Sequence, residues 1–402
     1  MPKRAEKISD LKLPPELFDL LTGNEEIELE DVNIAVDELE FLYQPSVMPV
    51  LQRMVAATKG KPTSLLEAPF SLPVQKYPGT IVEVTLGATK SQGGSRGKSI
   101  TIGGEKSPAF YTFENPTPNS PIISLDVFDS KVPIPKAVRT NFNDAMEDPV
   151  SWAKFAVDKF GAQMITLHLV SIDPLNPKPS TPSEAAKTVE DILQAVDVPL
   201  VIGGCGDPTK DLAVFEKVTA AAEGERLLIS TVTLDMDIEK SANLIKKYGH
   251  VALAFSPMDL NQARELNRRL LEFLPKEQII MDTTTAALGY GLDYAFTIME
   301  RARLAGLMGD PELQQPMSSG TTNAWAAREA WQTMESQWGD KNLRGPLWET
   351  VTGLTLLLAG VDLFMMLHPA AVRTLRNTVK RLTEKRGTVD VAKITNWVSK
   401  KI

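Results

Sequence analysis

Pro199-Leu-Val-Ile-Gly-Gly-Cys-Gly-Asp-Pro208 states the fold in miniature: a β-rich apolar run, a small polar turn, then an Asp-Pro pair opening a helix over Leu212–Ala222. The same phrase recurs from Pro121 onward. Its apolar runs are Ile122–Phe128, Met164–Val170, Pro199–Gly203, Leu227–Val232, Val251–Phe255, Gln278–Asp282, Met317–Gly320 and Gly360–Met366. Eight strand–helix units over about 250 residues match the count and size of an α/β fold, the (β/α)8 TIM barrel. Such barrels carry their chemistry in the loops after the strands, so the polar clusters become a site map.

The composition narrows what those loops can do. The chain has 402 residues, 43% of them apolar and 23% charged, enough for one large barrel plus an appended segment. A net charge of −8 argues against a nucleic-acid surface, which needs a basic face. Met1–Asp10 is charged and no apolar h-region follows, so no secretory leader is expected. The most apolar stretch, Leu354–Leu367, is interrupted by Gly360 and Asp362 and is too short to span a bilayer. It reads as the end of a helix plus the last barrel strand. A single cysteine, Cys205, forbids an internal disulfide and fits a cytoplasmic protein. One thiolate also cannot hold an iron–sulfur cluster or a thiolate-rich zinc site. The three histidines, His168, His250 and His368, lie far apart, with no His-Glu-x-x-His pair. Metal chemistry is therefore expected to arrive on a cofactor or a partner.

Residues 1–61 read as an acidic helical extension, with helices at Pro14–Leu21 and Val32–Tyr43 and a turn-rich break at Lys59. Residues 62–114 read as a small antiparallel β segment, a lid or plug built from Thr80–Leu86, Ser99–Ile102 and Ala109–Phe113, with Gly103-Gly104 as a turn. The barrel is expected over residues 115–386 and a final helix over 387–402. Inside the barrel, Asp148-Pro149 and Asp207-Pro208 are cap–proline helix starts, and Thr181 or Ser183 caps a helix over Ser180–Ala195. Gly224, Gly249 and Gly306 mark helix C-termini.

Several motifs can be read in more than one way. Gly93-Gly-Ser-Arg-Gly-Lys-Ser99 is one residue too short for a P-loop, and the strand-like Ile100-Thr-Ile follows it rather than a helix. A mobile glycine-rich hairpin loop is the better reading. Gly203-Gly-Cys-Gly-Asp207 is not a dinucleotide fingerprint, because Thr209 stands where a glycine is needed. Its strand–loop–helix setting would let backbone at Gly203, Gly204 and Asp207 approach a ligand, or simply make a tight turn. Met281-Asp-Thr-Thr-Thr285 and Met317-Ser-Ser-Gly-Thr-Thr-Asn323 end the sixth and seventh runs. An anionic substrate would call for Arg or Lys there, and acid–base catalysis for a tuned carboxylate, His or Lys. A rim of Thr283, Thr284, Ser318, Ser319, Gly320, Thr321 and Asn323 suits a ligand rich in neutral amides or carbonyls, although some of these hydroxyls must cap helices. Asp126 and Asp362, midway along apolar runs, read as structural. His368 reads as a satisfied rim group, and Cys205 as a packing residue.

Val84-Thr-Leu-Gly-Ala-Thr-Lys90, Ile102-Gly-Gly-Glu-Lys106, Phe110-Tyr-Thr-Phe-Glu114, Met281-Asp-Thr-Thr-Thr285 and Leu367-His-Pro369 together resemble one family. It is the small subunit of the corrinoid iron–sulfur protein, the delta subunit of the archaeal acetyl-CoA decarbonylase/synthase complex. The resemblance runs from about Pro78 to about Lys385, and the acidic N-terminal extension looks archaeal. It implies a barrel paired with a gamma (large) subunit, which carries the iron–sulfur cluster and mainly holds a cobalamin-type corrinoid. The pair shuttles a methyl group between a methyltransferase using methyl-tetrahydropterin and the nickel site where acetyl-CoA is made or cleaved, so other subunits of the complex are implied as partners. No Asp-x-His-x-x-Gly appears that could supply a lower cobalt ligand. No catalytic residue is assigned, and Gly203, Gly204, Asp207 and the Thr/Ser/Asn rim become the cofactor-binding candidates. Two alternatives stand: a stand-alone pterin-dependent methyltransferase using Asp126, Asp207 and Asp282, and a purely structural organiser of the complex.

Overall fold

The structure, a computed structural model, describes residues 75–111 and 117–383. The helices expected at Pro14–Leu21, at Val32–Tyr43 and over residues 387–402 lie outside the described residues, as does the break at Lys59.

The expected alternation is present. Strands β3 (Ile122–Phe128), β4 (Ile165–His168), β5 (Leu200–Gly203), β6 (Leu228–Val232), β7 (Val251–Phe255), β8 (Ile279–Asp282), β9 (Ser318–Gly320) and β10 (Leu363–Met366) form one sheet, in the order β8-β7-β6-β5-β4-β3-β10-β9. All its pairings are parallel. Its two ends meet at a single bridge, Met281 to Met317, where Met281 N–H donates to Pro316 O at 2.9 Å. That bridge closes the barrel.

The helices α1 (Lys136–Arg139), α2 (Pro149–Phe160), α3 (Pro182–Ala195), α4 (Pro208–Ala221), α5 (Ile238–Tyr248), α6 (Leu260–Leu271), α7 (Leu292–Leu307), α8 (Lys341–Leu358) and α9 (Pro369–Thr383) connect the strands. Their starts follow local chemistry. Asp148 accepts from Ser151 N at 2.7 Å, and Thr181 with Glu184 makes a reciprocal capping box. Asp237, Asp259 and Asp340 cap α5, α6 and α8 in the same way. Gly249 ends α5 in the left-handed conformation. No helix of the described residues is long and apolar enough to cross a membrane.

Strand alternation separates two cores. Outward residues such as Leu125, Leu167, Ile202, Ile229 and Phe364 pack under the helices. Inward residues Ile122, Met164, Val201, Leu228, Val251 and Leu363 gather at the strand N-termini. There the antiparallel hairpin β1 (Val84–Leu86) and β2 (Ile100–Ile102) joins them through Val84, Leu86 and Ile102. The hairpin plugs the bottom of the barrel.

Two expectations are corrected. Ala109 and Phe110 lie in a turn rather than a strand, with residues 112–116 outside the described set. The Gly93–Ser99 loop is pinned rather than mobile: Arg96 is buried and donates to Glu225 Oε2 at 2.7 Å, Val196 O at 2.6 Å and Leu193 O at 2.6 Å. A guanidinium with three fixed acceptors anchors the loop to the ends of α3 and α4.

Candidate functional site

With the bottom sealed, the strand C-termini form the open mouth, and the inward residues change character there. They are Ser124 and Asp126 on β3, Thr166 and His168 on β4, Ser230 on β6, Asp282 on β8 and Ser318 on β9. Barrel interiors are usually filled by bulky branched residues, so this polar upper half marks the functional end.

One group of contacts lies on the β3–β4 side. Ser124 Oγ and Thr166 Oγ1 are 2.7 Å apart. The fully buried Asp126 accepts from Thr322 Oγ1 at 2.5 Å through Oδ2, and the same oxygen lies 3.2 Å from His168 Nε2. Asp126 Oδ1 is buried with no hydrogen-bond partner among the described residues. The His168 ring stacks on Phe128, centroids 4.8 Å apart.

A second group lies on the β8–β9 side. Asp282 accepts from Ser318 Oγ at 3.0 Å and from Thr284 N–H at 2.8 Å. Burial pushes its carboxyl up to about 6 despite those donors. Thr284 has φ +74°, strained for a β-branched residue, and its hydroxyl donates to Ser256 O at 2.8 Å. Thr285 Oγ1 donates to Ser319 Oγ at 2.9 Å, Ser319 Oγ pairs with Thr321 Oγ1 at 2.8 Å, and Asn323 Nδ2 donates to Thr285 O at 3.0 Å. Ser319 and Thr321 are fully buried and bind the β8 and β9 loops to each other. Thr283 Oγ1 and Ser256 Oγ are buried without partners among the described residues.

The β5 loop stands across the mouth. Gly204 has no room for a side chain, because a Cβ would sit 2.3 Å from the Asp211 carboxylate. That carboxylate accepts from Cys205 N–H at 2.8 Å and Gly206 N–H at 2.9 Å, while Asp207 accepts from Thr209 N–H at 3.0 Å and Lys210 N–H at 2.8 Å. The loop and helix amides that could meet a ligand are thus answered by the chain's own aspartates. Asp207→Ala is expected to cost about 1 kcal/mol of stability, the worth of an N-cap. Urea unfolding checks this; an unchanged midpoint would show the cap to be dispensable.

The structure therefore brings Thr283, Thr284, Ser318, Ser319, Gly320, Thr321 and Asn323 into one network, with Gly203, Gly204 and Asp207 opposite it at β5. Asp362 is structural: it accepts from Arg303 at 2.6 Å and from Met317 N–H at 2.7 Å. Burial holds His368 down near 4, so its ring is neutral, with Nδ1 accepting from Ala370 N–H at 3.1 Å. Burial pushes the Cys205 thiol up to about 11, the reverse of an activated nucleophile. Sequence reasoning gave no role to His168, although its in-phase position two residues after Thr166 was a usable signal. Thr322 carried no local signal, because only the pairing of β10 with both β9 and β3 brings it to Asp126.

Residues 83–337 match the family described as CO dehydrogenase/acetyl-CoA synthase delta subunit. The chain is 53% identical over 329 residues to the acetyl-CoA decarbonylase/synthase complex subunit delta of Archaeoglobus fulgidus, covering 80% of this chain and 72% of that one. It is 46% identical over 386 residues to the subunit of the same name from Methanothermobacter thermautotrophicus, covering 96% of each. Among solved structures, dihydropteroate synthase from Stenotrophomonas maltophilia aligns with a TM-score of 0.46 at 13% identity, covering 67% of this chain and 95% of that one. The extent and level of the sequence matches establish that the chain belongs to the CO dehydrogenase/acetyl-CoA synthase delta-subunit family.

Proposed function

We propose that the chain pairs with a gamma (large) corrinoid iron–sulfur subunit and that its barrel mouth caps the corrinoid which that partner mainly holds. In this role it supports methyl transfer between a methyl-tetrahydropterin-dependent methyltransferase and the acetyl-CoA-forming nickel site. One observation carries the reading: the bottom of the barrel is plugged, while the mouth presents hydroxyls, amides and buried carboxylates, some without partners. The loops after β5, β6, β7 and β8, residues 204–207, 233–237, 256–259 and 283–291, contain no Lys or Arg. A phosphate or carboxylate ligand would find no countercharge in that sector.

The donor set fits a corrin edge, which carries neutral carboxamides. Asn323, exposed at the rim, would meet such groups first, with Ser318 and the unpartnered hydroxyls of Thr283 and Ser256 buried in the layer beneath it. When bound, the corrinoid supplies the cobalt that carries the methyl group. The chain's own residues bind, orient and exclude water, which protects a strongly nucleophilic reduced metal.

The test uses the complex of this chain with its partner. Ser318→Ala combined with Asn323→Ala is expected to lower corrinoid retention about tenfold, equivalent to about 1.4 kcal/mol, and to slow methyl transfer with it. Retention and transfer unchanged in a complex that still assembles would leave the chain a structural organiser.

A further inference from the structure

We propose that the outward face of α8 is the seat of the gamma subunit: an uncharged helical stripe that holds the partner by apolar packing and stands it beside the barrel mouth. The proposal rests on the capping reading above and adds the surface by which the partner is held.

The outer helices of a barrel normally turn charge to solvent, as α6 does with Arg268 and Arg269. α8 does not. From Leu343 to Leu358 its two charged residues, Arg344 and Glu349, are both buried. Leu347, Val351 and Leu358 face outward instead, 39%, 37% and 60% exposed, with Leu354 half-buried among them. Their spacing alternates four, three and four residues, which keeps one stripe of the helix and is the pattern of a seam against another helix. These side chains add little to the fold while wet, and a contiguous exposed apolar surface marks an interaction site.

The stripe passes the mouth. Trp348 Nε1 donates to Leu288 O at 3.1 Å, and Leu288 N–H donates to Thr352 Oγ1 at 3.2 Å. The middle of α8 therefore lies against the loop after β8, which carries Thr283 and Thr284. Tyr290 and Tyr294, 55% and 70% exposed, extend the apolar surface from that loop onto α7. Charge returns at the edges, where Asp293, Glu300 and Arg301 on α7 and Lys341 at the start of α8 are exposed. An uncharged centre with a charged rim is the make-up of a protein interface. The size of the stripe points to its occupant. At 1.5 Å per residue and a helix width of about 10 Å, Leu343–Leu358 offers roughly 240 Å², against about 800 Å² per partner in a stable complex. A second copy meeting it stripe to stripe would stop at that figure. The occupant has to cover the adjoining mouth as well, and the partner whose corrinoid lies there does so.

The test has two arms, both on the full chain with the gamma subunit. In the first, p-benzoylphenylalanine replaces Val351 or Leu358, the assembled complex is irradiated, and cross-linked peptides are identified by mass spectrometry. Cross-links to the gamma subunit are expected. Cross-links to a second copy, to another part of the same chain, or none in an assembled complex overturn the proposal. In the second arm, Val351→Lys and Leu358→Lys each put a charge at an exposed position, so the free chain keeps its circular dichroism spectrum. Each is expected to weaken gamma-subunit binding at least tenfold by titration calorimetry, because the ammonium must be desolvated in the interface. Leu382→Lys, at a 41% exposed position on α9, is the control and leaves binding unchanged. Should a lysine variant fail to fold, the cross-linking arm carries the test alone. An affinity equal to wild type in the folded variants overturns the proposal and leaves the capping reading to the retention test above. A wild-type chain that binds no gamma subunit overturns the pairing itself, and the proposal with it.

Discussion

Replacing Arg303 with methionine will lower the unfolding free energy by about 3–5 kcal/mol, the cost of removing one partner from a buried ion cluster. Arg303, on α7, is buried; it donates to Glu105 Oε2 at 2.8 Å, to Asp362 Oδ2 at 2.6 Å and to the carbonyl of Gly360. Burial pushes the Asp362 carboxyl up, and the guanidinium opposes that shift. The cluster links the loop after β2 to the entrance of β10, so it secures the bottom plug to the barrel. Methionine fills most of the volume but leaves two carboxylates without a cation. Adding Asp362→Asn and Glu105→Gln removes those uncompensated charges and is expected to recover part of the loss. Urea unfolding at pH 7.5 measures both. A loss below about 1 kcal/mol for Arg303→Met would show that the cluster is solvated enough to be dispensable.

The second large effect is a pH dependence at Glu349, on α8. This carboxyl is fully buried and accepts from Leu367 N–H at 2.5 Å and His368 N–H at 2.9 Å, at the end of β10. Burial outweighs those donors and raises its pKa from 4.5 to about 8. Between those values the folded chain holds a proton that the unfolded chain has released. Stability from this group is therefore greatest at low pH and falls as pH rises from 4.5 to 8, by at most about 1.4 kcal/mol per unit. Asp282, raised to about 6, acts in the same sense over a lower window and is common to wild type and variant. Glu349→Gln cannot titrate and has one carbonyl for two amide donors. It is expected to be less stable than wild type at pH 5 and to lose less between pH 6 and 8. Parallel stability curves across that range would refute the assignment.

How much was legible in the chain can be judged residue by residue. The runs Ile122–Phe128 and Val251–Phe255 announced strands because apolar β-branched and aromatic residues stood between turn residues, and both strands have those limits. Asp148, Thr181 and Asp207 announced helix starts because N-capping is decided within four residues. Of Ala109–Phe113, whose aromatic content suits a strand, Ala109 and Phe110 turn instead, and residues 112–113 lie outside the described residues. Arg96 was hidden because its acceptors lie far along the chain: on α3 and the segment after it, 97 and 100 residues away, and beyond α4, 129 residues away.

The sequence by itself determined the eightfold alternation, the helix caps and the uncharged runs 283–291 and 321–327 that follow β8 and β9, because these depend on residue type and short-range spacing. Tertiary structure alone decided which hydroxyls face one another. Ser319 and Thr321 spend their hydrogen bonds inside the wall, Asp207 and Asp211 answer the amides of their own loop, and Thr322, Asp126 and His168 meet from the ends of β9, β3 and β4. The physical reason is long-range strand pairing: the Met281–Met317 bridge joins the β8 and β9 loops, and the pairing of β10 with β9 and β3 joins Thr322 to Asp126, contacts that no local pattern encodes.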